Sequence, residues 1–217
     1  MTAAEAAAFT LTEASAEADL DAVRSLCRAY RSFLVANAPR DREITETFYP
    51  VEAYEALMAD LARVHARPAG IILLARDADG APLGCGMTHA LDPRTAEIKR
   101  VFVTDAARGR GVARRLCQAL VDQARDDGYD RVVLDTSCRL TAAQSLYESL
   151  GFRRRGPYQP VPAEVLDDLV FYELALRPPM RSSAASISRP TPRAVTIARP
   201  GSRKTRAAPM APASTSC

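Results

Sequence analysis

The run at 101–120, VFVTDAARGRGVARRLCQAL, constrains this chain more than any other. An apolar triplet breaks into a short polar loop, two glycines stand among arginines, and a helix-patterned segment follows. A strand that turns into a helix within a few residues is a building unit of mixed α/β sheets. Gly109 and Gly111 let backbone N–H groups converge on a ligand with no Cβ in the way. The following helix adds unsatisfied N-terminal donors and the positive end of its dipole. Arg108, Arg110, Arg114 and Arg115 add positive charge. The natural occupant of such a junction is a pyrophosphate; the plainer alternative is a glycine turn whose arginines are merely solvated.

Three phosphate motifs separate on spacing. The Walker A pattern needs Lys and Ser/Thr after its last glycine, and here Val112 follows Gly111. The dinucleotide pattern G-x-G-x-x-G finds Arg114 where its third small residue belongs, and the chain order lacks the early βαβ unit it needs. The pattern R-x-x-G-x-A is met by Arg108, Gly111 and Ala113.

Around this junction the elements alternate. FTLTEA reads as a strand and ADLDAVRSLCRAYRSFLV as a helix, with Leu20, Val23, Leu26, Cys27, Tyr30 and Leu34 on one stripe. The polar stretch 36–50 leads into a second helix, VEAYEALMADLARVHA, stopped at Pro68 and Gly70. IILLARDADGAPLGCGMTHAL is a hairpin turning at Asp79-Gly80. EIKRVFVT and YDRVVLDTS are strands flanking the helix GVARRLCQALVDQARDD. In TAAQSLYESLGF, Thr141 and Gln144 form a capping-box pattern and Gly151 a left-handed stop. RRRGPY and LVFYELAL close the chain as strands. The order βααβββαβαββ predicts a mixed α/β domain over residues 7–177 of the 217.

Charge divides the chain. The segment from Arg177 onward holds eight of the 29 basic residues and none of the 26 acidic ones, so the body carries 21 against 26, a net of −5. Residues 178–217, rich in Pro, Ser, Ala and Arg, have no periodic apolar face and are expected to be a disordered basic tail. Such a tail offers a handle for nucleic acid or an acidic partner, while a solvated appendage is the plainer expectation. The five cysteines, Cys27, Cys85, Cys117, Cys138 and Cys217, have no metal spacing and read as free thiols of a reducing compartment. Cys85 and His89 come nearest to a ligand pair, and two groups make no zinc site. No metal is expected. Without a signal-like N-terminus or an 18-residue apolar run, the expectation is a cytoplasmic protein with no membrane contact.

The run from EIKRVFV through RGRGVA and LDT to LYESLGF resembles the GNAT superfamily of acetyl-CoA-dependent N-acetyltransferases, and the similarity extends over about residues 7–177. EIKRVFV, LDT and the closing PY and FYEL resemble a subgroup of small bacterial members. The resemblance implies a mostly antiparallel sheet flanked by helices, with a splayed central strand pair holding the co-substrate. It implies that the backbone of Arg108, Gly109, Arg110, Gly111, Val112, Ala113 and Arg114 takes the pyrophosphate of acetyl-CoA. Val101, Phe102 and Val103 would lie along the pantetheine, with an N–H near Val101 polarising the thioester. Tyr147 falls where the family has its general acid; a tyrosine near pKa 10 suits protonation of a departing thiolate of pKa about 8.5. Glu97, eleven residues before Arg108, falls where histone-acetylating members carry their base. Four extended residues span about 13 Å, so Glu97 would reach the amine through a bulge or a water chain. Leu140 replaces the asparagine many members have seven residues before the tyrosine, and the VTDAARG loop lacks their proline. His65 and His89 read as structural. The implied activity is acetyl transfer to a primary amine of a small molecule or peptide by direct attack, with the acceptor set by the stretch 36–50. The alternative is a domain of the same fold that senses acetyl-CoA without turnover.

Overall fold

The computed structural model describes residues 9–176; the predicted tail lies outside them. Seven strands form one sheet: β1 (Phe9–Glu13), β2 (Gly70–Asp77), β3 (Pro82–Asp92), β4 (Thr95–Val103), β5 (Arg131–Ser137), β6 (Arg153–Arg155) and β7 (Leu169–Ala175). Five helices interleave with them: α1 (Glu17–Asn37), α2 (Pro39–Phe48), α3 (Val51–Val64), α4 (Val112–Asp126) and α5 (Thr141–Ser149). Spatial order is β1-β2-β3-β4-β5-β7-β6, antiparallel throughout except for the β4–β5 pair. This is the mixed, mostly antiparallel architecture expected from the sequence.

Period-two alternation sorts each strand between two cores. Ile71, Leu73, Ile98, Val132 and Leu134 face α4 and meet Leu116 and Leu120. Ile72, Leu74, Cys85 and Met87 face the other way, onto Val23, Leu26 and Cys27 of α1 and Met58 and Leu61 of α3. β4 breaks the alternation. Ile98 and Val101 both join the α4 face, so two residues, Lys99 and Arg100, stand between them and turn toward α1. The β3 pairing skips at the same place, from Met87↔Lys99 to Cys85↔Phe102. Arg100 adopts φ +50°, the one positive value at a non-glycine among the described residues. This is a β-bulge, which bends a strand and re-aims its side chains.

The parallel β4–β5 pairing covers only Thr95↔Arg131, Ala96↔Val132 and Glu97↔Val133. Beyond Glu97 the strands part, leaving the β5-facing edge of Ile98–Val103 unpaired with its neighbour. That is the predicted splay.

Two local expectations are corrected. The polar stretch 36–50 contains a helix, α2, begun by Pro39 at its first turn. Its apolar pattern is weak because side-chain polar contacts hold it. Ser137 Oγ donates to Asp41 Oδ1 at 2.8 Å, Asn37 Nδ2 to Asp41 Oδ2 at 2.6 Å, and Arg40 Nε to Asp168 Oδ2 at 2.9 Å. The Thr141/Gln144 capping box does not form: Leu140 occupies the cap with no side-chain bond. Gln144 instead donates to the carbonyls of Ser137 and Cys138, at 3.2 and 2.9 Å, tying α5 to the end of β5. The left-handed stop at Gly151 (φ +91°) and the hairpin turn at Gly80 (φ +84°) stand as predicted.

Candidate active site

The splay opens into a cleft of about 570 Å³ between β4, the loop before α4, and α5. Its floor is Val101, Phe102 and Val103 of β4, and one end is Arg108, Gly109, Gly111, Val112, Ala113 and Arg114. On α5, Ala142 and Leu146, Ala143 and Tyr147 recur four residues apart and present one face to the cleft. Tyr30 and Phe33 of α1 form the outer wall. Ten of the twelve residues singled out in the sequence therefore share one cavity. Arg110 and Glu97 do not line it.

The loop has the geometry an anion cradle requires. Gly109 and Gly111 have φ of +74° and +79°, and a Cβ built on either would meet nothing within 4 Å, so the backbone faces open space. Gly111 is the N-cap of α4 with no side-chain cap bond, which leaves the first-turn N–H groups directed outward. Arg108 lies over the Phe33 ring at 5.3 Å and pairs with Asp105 at 2.9 Å. Arg114 donates to Ser149 Oγ at 2.7 Å, linking the loop to α5. These features fit a pyrophosphate: convergent donors, nearby cations and no bulk between them.

Tyr147 is fully buried at the cleft, its ring 5.9 Å from those of Phe152 and Tyr172, which fix its orientation. Leu140, the departure from the family's asparagine, also lines the cleft and places an apolar side chain there.

Glu97 lies on the α1 face of β4 in a buried polar cluster. Lys99 Nζ is 2.7 Å from Glu97 Oε2, and His89 Nε2 is 3.3 Å from the same oxygen. Tyr158 Oη is 2.6 Å from Glu97 Oε1 and 2.9 Å from Asp135 Oδ1. A phenol has one proton to give. One contact is its donation; the other needs a protonated carboxyl donating to the tyrosine oxygen. Asp135 suits that role, because burial pushes its pKa up to about 7. Burial also holds Lys99 below the ordinary lysine value against the attraction of Glu97. Desolvation draws His89 down to about 3, so it stands beside Glu97 as a neutral ring near pH 7 and makes no hydrogen bond to it. His65, drawn by burial down to about 4, donates from Nδ1 to the Thr88 carbonyl at 2.8 Å and is structural. The arrangement, carboxyl to phenol to carboxylate, can pass a proton along its length.

Sequence reasoning gave no role to Asp135, Tyr158, Lys99 or Arg100. Their signal was present only as parts of LDT, PY and EIKR; the contacts that join Tyr158 to Asp135 and to Glu97 span 23 and 61 positions. Among the described residues no cluster of metal-ligating side chains occurs, and no helix is long and apolar enough to cross a membrane. Cys27, Cys85, Cys117 and Cys138 are unpaired, and Cys217 lies outside the described residues.

A family model described as the acetyltransferase (GNAT) family matches residues 35–152. An uncharacterised N-acetyltransferase of Schizosaccharomyces pombe is 36% identical over 108 residues, which are 48% of this chain and 66% of the relative. The N-acetylaspartate synthetase of Danio rerio is 35% identical over 100 residues, covering 46% of this chain and 36% of that one. The chain thus spans less than two-thirds of the length of both. The IAA acetyltransferase of Azospirillum brasilense is 37% identical over 114 residues, 52% of this chain and 71% of its own. Among solved structures, a GNAT-family acetyltransferase of Staphylococcus aureus superposes with a TM-score of 0.61 at 18% identity, covering 78% of this chain and all of that one. The yncA protein of Salmonella typhimurium, solved with its cofactor acetyl-CoA, superposes with a TM-score of 0.58 at 23% identity, covering 82% and 99%.

Proposed function

The chain belongs to the GNAT acetyltransferase family, and from that premise we propose that it moves an acetyl group from acetyl-CoA to a primary amine by direct attack. One observation carries the reading: a single cleft, opened by the parting of β4 and β5, joins the glycine cradle at the start of α4 to the buried Tyr147. A cradle for phosphate and an acid for a leaving thiolate at one cavity are what thioester aminolysis needs.

The residues divide the work. The N–H groups of the 108–114 loop and the first turn of α4 hold the pyrophosphate. The unpaired edge of Val101–Val103 receives the pantetheine amides as another strand would. An N–H at Val101 stabilises the oxyanion that develops on the thioester carbonyl. Tyr147 gives its proton to the departing thiolate. Glu97 takes the proton of the incoming amine, its carboxyl group held in place by Lys99 and by the Tyr158 phenol. The bulge at Lys99–Arg100 is the distortion a base so far back along β4 requires. Related chains bear names as different as N-acetylaspartate synthetase and IAA acetyltransferase, so similarity alone selects no acceptor.

The test is release of free CoA thiol from acetyl-CoA over a panel of primary amines. Amine-dependent release supports the reading. Tight binding of acetyl-CoA with no release for any amine would instead support a sensor.

A further inference from the structure

Arg100 is a buried cation with no acidic partner among the described residues. It is 8% exposed and sits on left-handed backbone that a non-glycine residue adopts only when its surroundings hold it there. Buried guanidinium groups are ordinarily matched by a carboxylate. Among the described residues no carboxylate forms an ion pair with this one; Glu97 is engaged by Lys99 and Tyr158. The titratable groups that feel Arg100 are Tyr54, Lys99, His65, His89 and the thiols of Cys27 and Cys85. Tyr54 already donates its proton to the Cys27 carbonyl at 2.8 Å, so it meets Arg100 as a neutral acceptor.

Beside Arg100 lies a cavity of about 20 Å³ with a second cation, Arg31, on its wall, together with Thr45 of α2 and Tyr49. Arg31 is held in place, its Nε donating to the Tyr49 carbonyl at 2.9 Å and its guanidinium 5.9 Å from the Tyr54 ring. The volume admits one or two water-sized groups, the size of a small anionic end rather than a whole acceptor. Tyr30 lines both this cavity and the cofactor cleft, so the two spaces meet at one side chain. On β4 the neighbouring residue, Val101, faces the cleft.

We propose that Arg100, assisted by Arg31, forms a carboxylate subsite, so that the acceptor is a primary amine bearing a carboxylate, its anionic end beneath α2 and its amine directed past Tyr30 toward the cleft. This rests on the acetyltransferase reading. A neutral amine or a carboxamide in that position would leave the buried guanidinium without a counter-charge, and sites of this kind reject such analogues strongly. Free amino acids and short peptides could both supply the carboxylate; the cavity's size and its cover by α2 favour the small molecule.

The experiment measures CoA release with matched acceptors: L-phenylalanine, L-methionine, L-glutamate and glycyl-L-phenylalanine, each against its carboxamide, and the first two also against their decarboxylated amines. A preference for the free acid of at least about 30-fold in kcat/KM is expected, as for truncation of one partner of a buried charge pair. Arg100→Gln should erase that preference by depressing turnover of the acids toward that of the carboxamides, with acetyl-CoA affinity within about threefold of the wild type. Arg100→Lys should restore part of it, and Arg31→Gln should lower it less. Titration of the N-acetylated acids and amides into the CoA-bound protein reads the same preference without turnover. It separates the two readings: Arg100-dependent binding of the acids with no CoA release keeps the subsite and removes the enzyme. Equal use of acids and amides by the wild type, a preference that survives in a folded Arg100→Gln, or no binding of either form overturns the proposal. Better use of the dipeptide than of free amino acids would move the carboxylate's source to a peptide.

Discussion

The two sides of β4 are built on different plans. Toward α4 the strand carries apolar residues, and what the cleft offers is largely backbone: two glycines, a helix terminus and an unpaired strand edge. Toward α1 the same strand carries Glu97, Lys99 and Arg100; Glu97 is held by Lys99 two residues on and by Tyr158 from beyond β6, and Arg100 borders a cavity walled by α1 and α2. A backbone site needs only a short continuous motif, because consecutive N–H groups are brought together by local conformation. A side-chain site needs distant segments to arrive in register. The first suits a ligand common to a whole family. The second is where individual chains can differ without disturbing the first.

Variants can break this division of labour, beginning with the largest effect. Tyr147→Phe should lower kcat by ~10² to 10⁴-fold, the range for loss of a general acid, with acetyl-CoA affinity nearly unchanged. Stopped-flow detection of the released thiol reads the first and calorimetric titration the second; a loss below threefold would make Tyr147 a packing residue. Tyr158→Phe removes the bridge between Glu97 and Asp135 and should lower kcat/KM for the amine by about 10-fold, with a changed pH profile and no change toward acetyl-CoA. If both substrates weaken together, the cluster is structural rather than part of the chemistry.

Asp168→Ala acts further out. It unties Arg40 of α2 and Arg139 after β5 from the segment before β7, and should cost about 2 kcal/mol of stability by urea denaturation. It should raise the amine KM several-fold while leaving acetyl-CoA binding alone, because only the α1–α2 side loosens.

A separate effect is in the pH dependence of stability. Asp135 holds its proton to about pH 7 in the folded chain, whereas unfolded aspartate loses it near 4, so its contribution falls as pH rises between those values. His65 and His89 act with opposite sign. Their folded values of about 4 and 3 lie below the unfolded 6.5, so stability falls as pH drops through that interval. Asp135→Asn removes the first contribution alone. Relative to wild type, the variant should gain about 3 kcal/mol in urea unfolding between pH 4.5 and 7. Parallel curves for the two proteins would show that Asp135 ionises normally.

The same division explains what could be read in advance. The sheet, most of its helices and the glycine loop follow from local patterns, alternating strands and Gly109 and Gly111 before a helix, whereas Val101, Phe102, Val103 and Tyr147 are marked by the family resemblance. α2 escaped because PRDREITETF has little apolar periodicity and is held by Asp41 and Arg40 through contacts 96 and 128 positions away. The capping box failed for a related reason: Gln144 found a better use at the carbonyls of Ser137 and Cys138. Asp135 and Tyr158 have no local pattern at all. A carboxylate at the end of a strand and a tyrosine after a Gly-Pro turn become a pair only once β5 and the segment after β6 are side by side.

The measurement to make first is calorimetric titration of acetyl-CoA into the wild-type protein and into Gly111→Glu, which sets bulk and negative charge at the cap of α4. Micromolar binding by the wild type, and a loss of at least about 100-fold in a variant that remains folded, is the predicted result. Equal binding by the two proteins, or none by the wild type, would mean that the loop is only a turn before a helix and that the cleft serves some other ligand.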